Sequence, residues 1–290
     1  MKSSDLYTEP LSSTPNPGPG TVWKIIWTTI KFIFTEKPGQ IMFSGLILLM
    51  LWGYHGNLEI LWKLWPSLAN TCGDTGGGPE GKILPWIPWD REIISFLGGS
   101  FIVVLIPILI IKFYFKEPLS EYGLAFPEKG KRRLSWMIFF VFLIVLLPMF
   151  VVASKDSGMR SLYPLYRGFN EHTNGWTFLV YQLTYFPFFL VIEFIFRGYF
   201  LFGLANNGFN YKDKNGEMKV FYIGRYAILI GMLSYTAWHL GKPMAELWGT
   251  PIWGLAAGAC TYAVRSIWPL LMVHWLLNVF LDYMIVYHPF

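Results

Sequence analysis

Long apolar segments are the feature of this sequence that most restricts its fold. Seven blocks follow one another along the chain: 39–54, 92–114, 134–153, 176–205, 222–241, 250–264 and 266–286. A helix needs about 20 apolar residues to cross a hydrocarbon core of about 30 Å. Only 14% of the residues are charged, against roughly 25% in an ordinary soluble domain. The sequence therefore predicts an all-α, polytopic membrane helical bundle of about seven transmembrane helices.

The N-terminal region differs from the blocks that follow it. Residues 22–34 combine Trp23 and Trp27 with widely spaced lysines, a pattern that favours a short helix lying at the membrane interface. We therefore predict a polar tail with an interfacial helix over residues 1–38 and a membrane domain over residues 39–290.

The lysines and arginines between the blocks indicate the orientation. With the N-terminus inside, the inner segments carry about twice as many of them as the outer segments, as the positive-inside rule requires. Loop charge that sets topology also explains the net charge of +5, so we expect the lipid bilayer as a partner and no nucleic acid. The predicted location is a bacterial inner membrane, with the N-terminus in the cytoplasm.

Five polar side chains interrupt the apolar blocks at a shared membrane depth. They are Glu193, Arg197, His239, His274 and Asn278. A charged side chain at the bilayer centre costs about 2.5–3.5 kcal/mol on insertion scales, so such residues need partners or a function. Glu193 and Arg197 are four residues apart, which places them on one helix face where they can form an ion pair.

These side chains are suited to either of two chemistries. Glutamate or histidine can take a proton from water, and a histidine with an asparagine amide can donate hydrogen bonds to a developing oxyanion. Alternatively, Glu193, His239 and His274 are candidate ligands of a metalloprotease-like site, because zinc accepts two histidines and a glutamate with water in the fourth position. Composition does not decide between a divalent metal such as zinc and no cofactor.

Three short motifs in the C-terminal half resemble those of one known family. The stretch 193–197 (EFIFR) resembles the end of an E-E-x-x-x-R motif, 235–239 (YTAWH) resembles F-x-x-x-H with Tyr for Phe, and 274–278 (HWLLN) matches H-x-x-x-N. Their order on successive apolar blocks, within about residues 176–282, resembles the CPBP family. This family comprises CAAX-processing endoproteases and bacteriocin-processing or immunity proteins, and is also called the Abi family.

The resemblance implies an intramembrane endopeptidase that hydrolyses a peptide bond of a membrane-associated or lipidated peptide or protein. The catalytic candidates that it implies are Glu193, His239, His274 and Asn278, with Arg197 in support. In that assignment Glu193, with His239, activates water, and His274 and Asn278 bind the oxyanion.

One position departs from the family pattern. The first glutamate of E-E-x-x-x-R, regarded as the water-activating base, falls on Ile192, and isoleucine cannot accept a proton. The alternative is therefore a catalytically degenerate member that acts as a membrane scaffold, immunity or binding protein. A proton-coupled transporter is a third class, since intramembrane Glu, Arg and His also mark proton relays.

The orientation can be tested by cysteine labelling in membranes. The loop around Lys129, Lys131, Arg132 and Arg133 carries the densest positive cluster between blocks, so we expect it to be cytoplasmic. A cysteine placed at Gly130 should resist an impermeant maleimide added from outside, whereas one placed at His172, in a predicted outer loop, should react. Rapid labelling at position 130 would reverse the predicted orientation.

Overall fold

The computed structural model describes residues 19–55, 101, 103–166, 168–212 and 215–288. The predicted polar tail up to residue 18 and most of the first ten positions of the 92–114 block lie outside these residues. Helices dominate the described chain, which confirms the predicted all-α membrane bundle.

Nine helices of at least five residues are described. They are α1 Pro19–Thr35, α2 Lys37–His55, α3 Val103–Phe115, α4 Arg132–Ala153, α5 Ser157–Leu162, α6 Gly175–Ala205, α7 Tyr226–Trp238, α8 Met244–Val264 and α9 Trp268–Tyr287. Short 3-10 turns at Leu119–Tyr122 and Lys129–Lys131 precede α4.

Among the described residues, three helices are long and apolar enough to cross a membrane. They are α4 together with the turn before it, α6 and α9, while α3 and α7 are shorter apolar helices. Of the most apolar stretch of α6, 83% is buried inside the protein, against 6% for α4. A helix that is apolar on every side and buried belongs to the core, so α6 is the centre of the bundle and α4 lies at its edge. The total of seven crossings stays a prediction.

The loop between α6 and α7 departs from the all-helical prediction. Strands Gly208–Lys212 (β1) and Met218–Tyr222 (β2) pair antiparallel, with Gly208 opposite Tyr222. The side chains of β2 are exposed, whereas Phe209 of β1 packs against the apolar core. Because β2 occupies the start of the predicted block 222–241, α7 begins later than that block.

The first helix exposes its apolar side chains. No side chain of α1 is buried, and Trp23 and Trp27 are among those exposed. In water such a surface would be unfavourable, and a membrane interface would cover it. The interfacial position of α1 stays a prediction.

The second half of α6 is packed too closely for added side-chain volume. From Phe194 to Phe200 the helix is π-helical, a form found mostly as short insertions and frequently at functional sites. A Cβ added at Gly198 would lie 2.8 Å from the carbonyl oxygen of Tyr122. At Gly254 and Gly258 of α8, added Cβ atoms would likewise approach Met232 and Ile228 of α7. Gly198 therefore allows the loop before α4 to approach α6 closely. Gly254 and Gly258 likewise allow α8 to approach α7.

Replacing Gly198 by alanine tests this close approach. We expect the free energy of unfolding to fall by about 1–3 kcal/mol, because the Tyr122 carbonyl is backbone and cannot move aside without shifting the loop. Gly130→Ala is the matched control, since an added Cβ there meets nothing within 4 Å. Equal melting temperatures of the two variants in detergent would show that the loop moves freely away from α6.

Candidate active site

An ion pair lies within α6 where the ordinary helix passes into its π-helical part. The Nη1 atom of Arg197 is 3.4 Å from Oε1 of Glu193, and both side chains are almost completely buried. The Arg197 guanidinium also lies 4.1 Å from the centre of the Tyr235 ring, within the range of a cation–π contact. The four-residue spacing therefore does bring the two charges together, and a ring of α7 completes the surroundings of the arginine.

His274 of α9 makes the shortest contact with the Glu193 carboxylate. Its Nδ1 atom is 2.7 Å from the same Oε1 atom. Because a carboxylate oxygen only accepts, Nδ1 carries the proton, and Nε2 is the ring nitrogen that remains for a ligand. The rings of Phe189 and Trp253 flank the imidazole, 5.0 and 5.3 Å away between centres. The His274 side chain is 14% exposed and that of Glu193 is 0% exposed, so the imidazole is the part of this pair that a substrate can reach.

His239 follows the last residue of α7 and is held by that helix. Its Nδ1 atom is 2.7 Å from the backbone carbonyl oxygen of Tyr235, and its ring lies 4.3 and 4.8 Å from the rings of Tyr235 and Trp238. Tyr235 also contacts the Arg197 guanidinium, so its ring connects His239 to the ion pair. The structure therefore brings four of the five predicted residues into one connected cluster. They are Glu193, Arg197, His274 and, through this ring, His239.

The fifth residue, Asn278, contacts the backbone of its own helix. Its Nδ2 atom donates to the carbonyl oxygen of His274 at 3.0 Å, a bond that uses one of the two amide hydrogens. One turn further along α9, Asp282 accepts a hydrogen bond of 2.7 Å from Gln182 of α6. This bond connects α9 to α6, and a direct role of Asn278 at the oxyanion stays a prediction.

Ile192 is part of the apolar core. Its side chain is 3% exposed and belongs to a buried cluster that includes Ile195 and Tyr235. In the motif register given above, this is the position of the first glutamate. An apolar side chain in a packed core therefore stands where the family motif has a carboxylate.

The geometry does not fit the zinc site that composition left open. Among the described residues, no three His, Cys, Asp or Glu side chains converge as metal ligands. Glu193 and His274 contact each other directly, whereas Nδ1 of His239 is occupied by a carbonyl oxygen. The three candidates thus offer two neighbouring donors rather than a His₂Glu set.

Two residues outside the predicted set join the cluster. Oε1 of Glu246, in the first turn of α8, lies 3.6 Å from Nε2 of His239, and the Tyr163 hydroxyl donates to the same oxygen at 3.0 Å. Neither residue lies in a motif or in a predicted apolar block, so neither is predicted from the sequence. For Glu246, the one signal is its position shortly after the motif histidine.

The buried ion pair can be tested through Arg197→Ala. This change removes the Arg197 guanidinium from the buried Glu193 carboxylate, and breaking a buried pair from one side costs up to about 3–5 kcal/mol. We expect a lower melting temperature in detergent and in bilayers. Arg225→Ala, at an exposed position before α7, is the control. If both changes lower the melting temperature equally little, Arg197 does not stabilise the fold.

Comparison with known proteins gives a family match over the C-terminal part of the chain. The family model described as type II CAAX prenyl endopeptidase Rce1-like matches residues 174–280, a little over a third of the chain and nearly the range that the motifs indicate. No curated protein and no solved structure gave a match. The matched range contains Glu193, Arg197, His239, His274 and Asn278. The part of this integral membrane protein that carries the site therefore matches the type II CAAX prenyl endopeptidase Rce1-like family model, and this match supports membership of the CPBP family.

Proposed function

We propose that this chain is an intramembrane endopeptidase that hydrolyses a peptide bond of a membrane-associated or prenylated substrate. The observation that carries the proposal is the hydrogen bond of 2.7 Å between His274 and the buried Glu193, in a region of this family. A bacterial inner membrane with a cytoplasmic N-terminus remains part of the proposal.

His274 is suited to bind the oxyanion. The Glu193 carboxylate accepts from Nδ1 and so fixes the direction of the ring. In an imidazole that carries a proton on both nitrogens, Nε2–H can donate to a developing negative charge. Arg197 holds the carboxylate from its other side. Glu193 itself is 0% exposed, so it acts through His274 and cannot take a proton from a substrate-bound water.

Water activation then falls to His239. A carbonyl oxygen only accepts, so the contact with Tyr235 places the proton of a neutral His239 on Nδ1. Nε2 then carries the lone pair that a general base needs.

The reaction follows from these two roles. As the water oxygen bonds to the peptide carbonyl carbon, one water proton passes to Nε2 of His239, and the carbonyl oxygen becomes an oxyanion held by Nε2–H of His274. Collapse of this intermediate breaks the C–N bond, and the proton on His239 passes to the leaving amine nitrogen. Both histidines return to their starting protonation states.

Alanine at either histidine should abolish cleavage without unfolding the protein. Loss of a positioned base costs about 10²–10⁴-fold in rate, and loss of an oxyanion donor costs about 10²–10³-fold. The assay uses purified protein in bilayers with a quenched farnesylated CAAX peptide. A second assay uses the host's own membrane proteome, with new termini identified by mass spectrometry, because one CAAX peptide samples one specificity.

His172→Ala is the matched control, because this histidine is 87% exposed in the loop before α6 and contacts none of the site residues named above. It should cleave at the wild-type rate. Wild-type protein that cleaves neither substrate, with or without added zinc, would contradict the proposal, as would full activity of His239→Ala and His274→Ala.

A degenerate family member that acts as a membrane scaffold, immunity or binding protein is the second candidate. It is favoured by Ile192, an apolar and 3% exposed side chain at the position of the missing glutamate. In that case the wild type shows no turnover in the same assay. Activity that appears only in Ile192→Glu would support this candidate over the first.

A further inference from the structure

A second carboxylate lies beside His239 on the side away from the Glu193 pair. Oε1 of Glu246 is 3.6 Å from Nε2 of His239, the nitrogen that the proposed function assigns as the base. This separation exceeds that of a direct hydrogen bond. A polar contact longer than about 3.5 Å raises the question whether a water molecule connects the two atoms.

The protonation of His239 decides what can lie between these two atoms. With its proton on Nδ1, directed at the Tyr235 carbonyl, Nε2 is an acceptor. The Glu246 carboxylate is an acceptor as well. Two acceptors 3.6 Å apart are satisfied together by a molecule with two hydrogens to donate, and water is the smallest such molecule.

Other groups hold the Glu246 side chain in place. The Tyr163 hydroxyl lies 3.0 and 3.1 Å from its two oxygens. Burial and the neighbouring Glu246 carboxylate raise the pKa of Tyr163, so its hydroxyl stays protonated and donates. Lys242 lies 3.9 Å from Oε1, and the first turn of α8 is a position where the helix dipole favours a carboxylate.

This carboxylate is also close to open space. Tyr163 lines a cavity of about 370 Å³, which Arg160, Tyr166 and Ile285 also border. The Glu246 side chain is 16% exposed, in contrast to the fully buried Glu193. Water can therefore reach Glu246 more readily than Glu193.

We propose that Glu246 and His239 together bind the attacking water, so that Glu246 supplies from α8 the carboxylate that Ile192 does not supply from α6. One water hydrogen is directed at Oε1 of Glu246 and the other at Nε2 of His239, and the oxygen lone pairs face the substrate carbonyl. The second proton passes to Nε2 as the C–O bond forms, and Glu246 keeps its charge throughout. This inference rests on the proposed endopeptidase function.

Glu246→Gln tests the role with almost no change in shape. The amide keeps one acceptor oxygen but loses the negative charge, so we expect kcat on the farnesylated peptide to fall by about 10²-fold or more. KM should stay within about twofold, because Glu246 binds water and not the peptide. The melting temperature should be unchanged. Glu128→Gln, at a carboxylate whose side chain is 78% exposed, is the matched control and should keep the wild-type kcat.

A second measurement does not depend on turnover. In protein labelled with ¹⁵N-histidine, Glu246→Gln should move the Nε2 signal of His239 and leave that of His274 in place, with His239→Asn used to assign the signal. If Glu246→Gln keeps the wild-type kcat while His239→Ala is inactive, the role of Glu246 is wrong and the proposed function stands. If the wild type itself is inactive, the endopeptidase proposal fails. If the Nε2 signal of His239 does not move in Glu246→Gln, the shared water site is refuted.

Discussion

The Glu193 carboxylate has to be neutralised where it lies, because it is completely buried in the helix at the centre of a membrane bundle. Neither water nor lipid can stabilise a charge there. Arg197 and His274 both contact its Oε1 atom, and Tyr235 covers the arginine. These contacts join α6 to α7 and α9. The buried Glu193 carboxylate, whose charge would be costly without partners, therefore lies where three helices meet.

The same pairing restricts what Glu193 can do chemically. A carboxylate held by a cation and an imidazole, with no exposed surface, orients its neighbour rather than reacting with water. The site is thereby divided in two. In the proposed mechanism, the face formed by α6 and α9 presents His274 to the oxyanion, and the end of α7 with the start of α8 presents His239 and Glu246 to water. Ile192 belongs to neither face, since it packs in the apolar core.

Close backbone packing makes this division possible. The π-helical part of α6 begins directly after Glu193, and Gly198 lets the Tyr122 loop reach its backbone. On the other side, Gly254 and Gly258 bring α8 against α7, in the way that small residues allow close helix packing in membranes. His239 at the end of α7 and Glu246 at the start of α8 therefore come within 3.6 Å across a short connection.

By itself the sequence determined the helical bundle and the pairing of Glu193 with Arg197. Apolar block length and four-residue spacing are local properties, which the helix converts directly into spans and faces. Only the tertiary structure decided that His274 contacts Glu193, that Ile192 is buried in the core, and that a hairpin shortens α7. It also decided that Glu246 and Tyr163 join the site. Contacts such as these join residues on separate elements, so they depend on how the elements pack, and spacing along one helix carries no information about that.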